Sequence, residues 1–319
     1  MSEYPVAYSV YNRNNDIRLR STSGGVFTAI AEHFITNHNG AVYGAAFDES
    51  FNVVHKRVVT IEGLQELRGS KYPQSKIGKC FIQARDDLEG RKLVFFTGTP
   101  CQIEGLKRFL RKDYENLFCL DFVCHGVASD SVWRSYVELL ETKGEISSIV
   151  FKHKLKGWKK WYFHVTYKDG STWFRRGNLT KFMSSYLSYA NIRPSCYECH
   201  FKGVQRLSDF TISDCWGIGE QDSTMNDDKG LSALLLQNER AEQIFESIKG
   251  QLQYKQYNAH ELMQGNWTTL RSVPENPIRS EFFGNVANHS PGHALNKYFT
   301  PSLKRWLGYY YRRLRGTDK

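Results

Sequence analysis

Two cysteines, Cys196 and Cys199, are separated by two residues, a spacing that lets both thiolates reach one metal ion. A C-x-x-C pair can also be a redox-active dithiol, but such a pair normally begins a helix in a thioredoxin-like unit. Here Arg193 and Pro194 precede the pair and favour an extended loop. The pattern therefore favours metal binding over dithiol chemistry.

Two single cysteines could complete a metal site. Cys101 follows the sequence TGTP, and Cys124 lies between an apolar run and a His-Gly pair. A zinc knuckle usually has a second close pair of ligands within roughly twenty residues, and none is present unless His200 substitutes. Four thiolates that converge from three loops suit a [4Fe–4S] cluster, because it needs soft ligands in a sheltered pocket.

The remaining cysteines have weaker claims to a ligand role. Cys119 lies inside an apolar strand pattern and Cys80 on one face of a predicted helix, so both are interpreted as core residues. Cys215, in the sequence SDCWG, ends a predicted strand as Cys101 and Cys124 do. It is the competitor for the fourth ligand position.

Two helix starts could bind an anionic cofactor. Ser-Gly-Gly at 23–25 and Thr-Gly-Thr at 97–99 each precede a helical pattern, and Arg68, Lys71 and Lys76 are nearby cations. Free N–H groups and the helix dipole attract anions at such positions, and glycine permits close approach. The chain contains neither G-x-G-x-x-G nor G-x-x-x-x-G-K-[ST], so an ordinary Rossmann or P-loop site is not supported.

Three further side chains could serve a bound cofactor. Asp214 could hold a hydroxyl or a cation, and Trp216 could pack on a flat ring system, although a strand-end turn with a core tryptophan explains both equally well. His125 could transfer protons, because a histidine pKa lies near neutrality, or it could cap a helix.

An α/β scaffold is needed to bring these residues together. Apolar spacing predicts a helix from Val26, residues 41–58 predict a hairpin, and a helix follows at about 76–88. Residues 91–110 and 116–141 each predict a strand, a loop and a helix, which places Cys101 and Cys124 in loops after strands.

The pattern changes near residue 145. Short alternating segments from 148 onward predict an antiparallel sheet, and the last sixty residues predict mostly helix. We therefore expect a mixed α/β (α+β) fold, with an N-terminal α/β region at 1–145 that carries the candidate cofactor and cluster loops. The C-terminal α+β region at 146–319 would carry the C-x-x-C pair and a helical tail.

Bulk properties indicate a compact cytoplasmic protein. The 319 residues are 40% hydrophobic, no basic-then-apolar leader begins the chain, and no run of 18 apolar residues occurs. Cytosolic thiols stay reduced, which favours metal binding. The formal charge of +10 is concentrated partly at 152–160 and 304–316 and predicts an acidic partner, unless these segments only form a solvated basic face.

Several short motifs, taken in order, resemble the coenzyme F420 hydrogenase/dehydrogenase β-subunit family. The resemblance spans about residues 5–235, and the motifs are SGGVFTAIAEHFI, VYGAAFDESF, LRGSKYPQS, FTGTPCQIEGLK, DFVCHG, RPSCYECHFKG and SDCWG. Each motif is short, but their ordered combination is specific. The C-terminal-domain type of the family, without a ferredoxin module, is the better match.

This resemblance implies FAD next to a [4Fe–4S] cluster, with electrons passing between iron–sulfur relays and a hydride carrier or organic substrate. The recurring cysteines of the family match Cys101, Cys124, Cys196 and Cys199. The motif positions that we assign to the cofactor cleft are Ser23, Gly24, Gly25, Gly69, Ser70, Lys71, Tyr72, Thr97, Gly98 and Thr99. Asp214 and Trp216 join this set, and His125 is the candidate catalytic residue.

The resemblance also implies partners. Many relatives carry an N-terminal ferredoxin-like module, and this chain starts after that point, so we expect a separate ferredoxin-like electron-transfer protein. Shorter relatives resemble proteins encoded among surface-polysaccharide functions, which suggests a small-molecule or lipid-linked substrate.

Two other functions stay open. The first is a non-catalytic accessory or peripheral membrane protein at the inner membrane face, because the basic and aromatic segment 304–316 suits an anionic surface. A zinc-stabilised nucleic-acid binder would rest only on charge and C-x-x-C, so we expect no nucleic acid.

Overall fold

A computed structural model describes residues 4–301. Its strands are β1 (Val6–Asn12), β2 (Ala41–Phe47), β3 (Val53–Val58), β4 (Val94–Thr97), β5 (Leu117–Phe122), β6 (Ile146–His153), β7 (Tyr162–Tyr167), β8 (Thr172–Arg176), β9 (Phe210–Asp214), β10 (Ser232–Leu236) and β11 (Leu252–Tyr257). Its helices are α1 (Asn15–Arg20), α2 (Val26–His38), α3 (Ile61–Leu67), α4 (Cys80–Glu89), α5 (Pro100–Leu110), α6 (Asp130–Glu141), α7 (Lys181–Leu187), α8 (Ile218–Gln221), α9 (Glu239–Ile248), α10 (Ala259–Met263), α11 (Arg279–Asn288) and α12 (Pro291–Phe299).

The larger sheet has the strand order β11-β1-β10-β9-β5-β4-β2-β3. Strands β2, β4, β5 and β9 run parallel to one another, and the remaining neighbours pair antiparallel. The mixed α/β fold is therefore confirmed, including the hairpin of β2 and β3. The parallel centre also explains why strand–loop–helix units dominate the first half of the chain.

Helices cover both faces of this sheet. On one face α2 buries Ile30 and Phe34, and the Phe34 ring stacks on Phe95 of β4 with centroids 4.7 Å apart. On the other face α4 and α5 bury Ala84, Leu88 and Leu106 against β4 and β5. The two-sided burial accounts for the continuous apolar runs of β4 and β5.

Helix α2 begins as the sequence predicts, but α4 begins later than predicted. Residues 73–76 instead form bridges to Val54 and Ala128, which keep this stretch extended until the turn that precedes Cys80. Extended segments paired to other strands cannot also close helical hydrogen bonds.

The smaller sheet, β6-β7-β8, is antiparallel as predicted. It packs with α6, α7, α11 and α12 around an aromatic core that contains Trp133, Phe151, Phe163 and Phe182. The Trp133 indole Nε1 donates a hydrogen bond to the carbonyl of Phe51 at 2.7 Å, which ties α6 to the β2–β3 hairpin.

The smaller sheet begins at Ile146, close to the change of pattern near residue 145. However, β9, β10 and β11 return to the larger sheet, and β1 lies between β10 and β11. Residues after 209 therefore complete the sheet that residues 6–122 begin, and the two sheets do not divide at residue 145.

None of the helices within residues 4–301 is both long and apolar enough to cross a lipid bilayer. The basic and aromatic segment 304–316, on which the membrane hypothesis depends, lies outside the described residues.

Candidate functional site

The carboxyl ends of β4, β5 and β9 meet at one edge of the larger sheet, because these strands are parallel. The loop after β4 leads to Cys101, the loop after β5 carries Cys124 and His125, and β9 ends at Asp214. Residues predicted from separate motifs thus share one edge, which is where α/β proteins commonly place functional groups.

Cys101 and Cys124 come from two of these loops. Cys101 is the second residue of α5 and is exposed, with its Sγ 3.1 Å from the Thr99 hydroxyl oxygen. Cys124 is half-buried, and its Sγ accepts a hydrogen bond from the Gly126 N–H at 3.4 Å. Gly126 has φ +120°, a conformation that side-chain-bearing residues rarely adopt.

The C-x-x-C pair lies in a loop that contains one short 3-10 turn, Pro194–Cys196, and it does not begin an α-helix. The backbone N–H of Cys196 donates to the Arg193 carbonyl at 2.9 Å. The N–H of Cys199 donates to the Ser272 hydroxyl at 2.8 Å, which ties this loop to the segment before α11. This geometry is unlike the helix start of a thioredoxin-type dithiol.

Electrostatic interactions show that the four cysteines lie in one region. Burial raises the pKa of Cys124 to about 12, and the charges of Cys196 and Cys101 contribute to the rise. Burial likewise raises the pKa of Cys196, with contributions from Cys101 and Cys199. The Lys202 ammonium interacts with Cys199, Cys124 and Cys196, so a positive charge lies among these thiols.

The types of residue present fit an iron–sulfur cluster. Their arrangement does not form a metal-ion site, since no group of three or more His, Cys, Asp or Glu side chains within residues 4–301 is placed to hold a metal ion. The donor set is four soft thiols with a cation and an N–H donor beside them. A Cβ added at Gly126 would lie 3.2 Å from the Cys196 Cβ and 3.0 Å from Ile192 Cδ1. Any larger residue at 126 would therefore fill the space beside the thiols.

The other three cysteines lie apart from this group. Cys215 is fully buried and its thiol pKa is raised to about 12 by burial, Asp214 and Glu220, with no contribution from another cysteine. A Cβ added at Gly219 would lie 2.1 Å from the Cys215 sulfur, so the thiol is packed against α8. Cys80, the first residue of α4, and Cys119 of β5 are buried in the core between the larger sheet and helices α4 and α5.

A cleft of about 870 Å³ opens between the larger sheet and β6. Gly69, Ser70 and Lys71 line it, together with Thr22 and residues 146–152, and the assignment of these three residues to a cofactor stays a prediction. The Ser70 N–H donates to the Thr22 hydroxyl at 2.8 Å, and Gly69 has φ +80°. This volume lies in the range of cofactor pockets.

The two predicted anion cradles do not line this cleft. Gly24 fits tightly against the sheet, since a Cβ there would lie 2.4 Å from the Val10 carbonyl oxygen. At the other cradle the Thr99 N–H donates to the Gln102 side chain at 3.0 Å, which closes a capping box at the start of α5. Thr97 and Thr99 are buried. The assignment of Ser23, Gly24, Gly25, Thr97, Gly98 and Thr99 to a cofactor stays a prediction.

A buried ion pair lies at the wall of the cleft. Lys152 Nζ contacts Asp214 Oδ2 at 2.6 Å, and both side chains are 14% exposed. Burial alone would lower the pKa of Lys152, but Asp214 and Tyr72 raise it above its ordinary value. Burial, together with Lys152 and Lys202, lowers the pKa of His125 to about 4, so the ring is uncharged at neutral pH.

Trp216 stacks on Trp158 with ring centroids 4.3 Å apart and planes within 3°. One face of the indole is thus covered by protein, and its predicted contact with a cofactor ring stays a prediction. Sequence reasoning missed Lys152 and Lys202 as site residues. Lys152 belongs to the basic run at 152–160, and only its distant partner Asp214 distinguishes it from a surface lysine.

Residues 91–260 match a family model of oxidoreductase subunits. The model describes the C-terminal region of the beta subunit in coenzyme F420 hydrogenase/dehydrogenase. Because the match covers more than half of the chain, the chain belongs to this family. All four predicted cluster ligands lie inside the matched residues. No curated protein sequence matches the chain.

Among solved structures, the fold is similar to a chain in a xenon-derivatised F420-reducing [NiFe] hydrogenase complex from Methanosarcina barkeri. The two chains are 16% identical, the match covers 87% of this chain and 98% of that one, and the TM-score is 0.55. At this identity the similarity establishes the fold.

Proposed function

We propose that the protein is an iron–sulfur flavoprotein oxidoreductase. The observation that carries this proposal is the convergence of the cysteines at one edge of the larger sheet. Cys101 at the start of α5 and Cys124 in the loop after β5 follow neighbouring parallel strands, and a Cβ added at Gly126 would lie 3.2 Å from the Cβ of Cys196 in the C-x-x-C loop. Family membership supports a redox role, since the family comprises hydrogenase and dehydrogenase subunits. Zinc would also accept thiolates, but a redox family favours an electron carrier.

Cys101, Cys124, Cys196 and Cys199 are the proposed ligands of a [4Fe–4S] cluster, which would supply one-electron transfer when bound. Around it, the Gly126 N–H donates to the Cys124 sulfur and disperses negative charge on the thiolate. Lys202 Nζ donates to the carbonyls of Cys124 and Thr268 at 2.9 and 2.8 Å, which fixes its charge beside the ligands.

The cleft beside Gly69, Ser70 and Lys71 is the proposed FAD site. Its lining includes the cations Arg68 and Lys152, which would bind the phosphates of such a cofactor, and also carboxylates, among them Asp48, Glu49 and Glu66. Lys152 lines this cleft and pairs with Asp214, and the charges of both act on His125, which follows the proposed ligand Cys124 in the sequence.

The electron donor and substrate are also proposals. A ferredoxin-type protein would deliver electrons at the cysteines, and a hydride carrier or an organic molecule, such as a sugar or a lipid-linked intermediate, would react at the cleft. His125 follows the proposed ligand Cys124 in the sequence, and it is the proposed catalytic residue that transfers protons or donates hydrogen bonds beside the cofactors.

Anaerobic purification followed by iron, sulfide, zinc and flavin analysis tests the proposal. We expect about four iron and four sulfide per chain and one FAD released on denaturation. Colourless protein without iron or flavin after anaerobic reconstitution would refute the proposal, and stoichiometric zinc with no iron would identify a structural zinc site instead.

Serine substitutions test the ligand set. We expect Cys124→Ser to lose the cluster and Cys215→Ser to retain it, because Cys215 is packed against α8 and away from the other thiols. Far-ultraviolet circular dichroism monitors folding of both variants. Loss of iron in Cys215→Ser, with iron retained in Cys124→Ser, would show that the fourth ligand is assigned incorrectly.

A further inference from the structure

The loop that follows the C-x-x-C pair forms a surface with the segment before α11. The Gly203 N–H donates to the Thr269 carbonyl at 2.7 Å, and Lys202 Nζ bridges the carbonyls of Cys124 and Thr268. At its far end the loop reaches α5, where Lys107 Nζ donates to the Leu207 carbonyl at 2.6 Å. Residues 199–207 therefore run from the cysteines along the side of the helix that carries Cys101.

Two leucines on this surface are unusually exposed. Leu207 is 60% exposed and Leu270 is 56% exposed, which makes them the two most exposed large apolar side chains in the described part of the chain. A single exposed apolar residue is ordinary. Here Leu207 ends the loop 199–207, and Leu270 follows Thr269, whose carbonyl accepts a hydrogen bond from the same loop. Burial of both against a partner would be favourable.

The surroundings of these leucines are basic. The exposed carboxylates of the C-x-x-C loop and of the segment before α11 are Glu198 and Glu275. The cations Lys107, Arg193 and Arg271 form no salt bridge within residues 4–301. Lys107 donates to the Leu207 carbonyl instead, which holds its charge in place without neutralising it. We name Leu207, Leu270 and these cations the basic–apolar face.

We propose that the basic–apolar face is the docking surface for an acidic iron–sulfur protein. The proposal rests on the proposed function, since it assumes a cluster at the four cysteines. One electron would leave the reduced partner and enter the oxidised cluster, with no bond made or broken and no proton transferred. Cys101 is exposed in the first turn of α5, so the partner would approach the cluster from the side of this helix.

The chemistry of the face fits this kind of partner. Electron-transfer complexes are small and short-lived, with a little apolar contact inside a charged rim, and complementary charge raises their association rate. Two exposed leucines beside the cations of this face provide both features. An acidic partner is required because a basic one would be repelled by the rim.

The test uses anaerobically purified, cluster-loaded protein and a reduced acidic [4Fe–4S] ferredoxin as the probe. Stopped-flow absorbance gives the second-order rate constant for electron transfer. We expect Leu207→Asp combined with Leu270→Asp to lower it by about tenfold or more, with iron content unchanged. Phe174→Asp in β8, where the wild-type side chain is 49% exposed, is the matched control and should keep the wild-type rate.

Charge reversal provides a second test that does not depend on the leucines. Arg193→Glu and Arg271→Glu alter exposed side chains, so folding is expected to survive. Each should slow transfer, and the wild-type rate should fall as salt rises from about 50 to about 500 mM.

Several outcomes overturn the docking proposal. These are no transfer to iron-loaded wild-type protein, a wild-type rate in the double leucine variant, or a rate that rises with salt. If the variants keep the rate but lose binding to phosphatidylglycerol vesicles, the face is a membrane contact and the proposal also fails. Protein that holds no cluster refutes the proposed function itself, and iron analysis before each measurement separates that failure from a docking failure.

Discussion

Lys152 and Asp214 form an ion pair in which each side chain is only 14% exposed. A buried pair of this kind contributes little net stability, because the cost of removing both charges from water offsets their attraction. Asp214 Oδ1 has no hydrogen-bond partner among the described residues, although it is buried. The pair is therefore better explained by its position at the wall of the cleft, beside His125, than by a gain in stability.

Removal of one partner should be costly. We expect Lys152→Met to lower the free energy of unfolding by about 3 kcal/mol, because it leaves the Asp214 carboxylate buried without its cation. Lys152→Met with Asp214→Asn should cost less than the sum of the single variants by about 1–3 kcal/mol. Urea unfolding of the single and double variants measures this coupling.

An exposed pair serves as the control for this cycle. Lys168 and Glu145 form an ion pair with side chains 61% and 70% exposed. Lys168→Met should change the free energy of unfolding by less than about 1 kcal/mol. Equal costs for Lys152→Met and Lys168→Met would mean that burial of the Lys152–Asp214 pair has no energetic consequence.

At the scale of elements, the loop between β4 and α5 is held by a buried hydrogen-bond chain. His55 Nε2 donates to the Thr97 carbonyl at 3.0 Å, so His55 Nδ1 must accept from the Ser75 hydroxyl at 2.8 Å. Ser75 in turn accepts from Gln102 Nε2 at 2.9 Å. The chain of bonds connects β3 to the first turn of α5, where Cys101 lies.

This network makes stability depend on pH. Burial lowers the pKa of His55 to about 4, against an ordinary value near 6.5. Between these values the unfolded chain binds a proton that the folded protein does not, so stability falls as pH drops from about 6.5 to about 4. The full shift corresponds to about 3 kcal/mol.

His55→Gln should separate the two effects of this histidine. At pH 7 we expect it to lower the free energy of unfolding by about 1–2 kcal/mol through lost hydrogen bonds. Between pH 6.5 and 4.5 its stability should decline less steeply than that of the wild type, as measured by urea unfolding across pH. His260→Gln is the control, because the His260 side chain is exposed. Identical slopes for wild type and His55→Gln would contradict the assignment.

Much of the site arrangement could be predicted because it depends on local sequence. The pattern at 91–141 predicted two strand–loop–helix units, and parallel strands bring Cys101 and Cys124 to one edge. The burial of Lys152 could not be predicted, since a basic run looks the same whether it faces water or a carboxylate 62 residues away. For the same reason the stacking of Trp216 on Trp158 depends on a contact between distant segments.

At the scale of the whole molecule, the order of the larger sheet was the least predictable feature. Strand β1 pairs with β10 and β11, which follow it by more than two hundred residues. No local periodicity encodes such pairing, because it is decided by which edges remain available after the other elements fold. Along the chain, the strands of the smaller sheet thus lie between two groups of strands of the larger sheet.

Lys154, just after β6, connects these two sheets. Its Nζ donates to the carbonyls of Arg18, Ser23 and Lys229 at 2.7, 2.6 and 2.7 Å, so all three ammonium protons are used. A Cβ added at Gly230 would lie 2.3 Å from the same Nζ, which shows how closely the ammonium is enclosed. The smaller sheet thereby holds the Ser-Gly-Gly loop before α2.

Lys154→Met should release that loop while both sheets stay folded, because the thioether cannot donate to the three carbonyls. We expect faster amide hydrogen exchange at 18–25 and 228–231, with unchanged exchange in β4 and β5, where the core is independent of Lys154. Lys156→Met, two residues further along the same basic run, is the control. Equal exchange in the Lys154 and Lys156 variants would mean that the loop is held by Ser23 and Gly24 alone, through their bonds to Leu231 and Ser232.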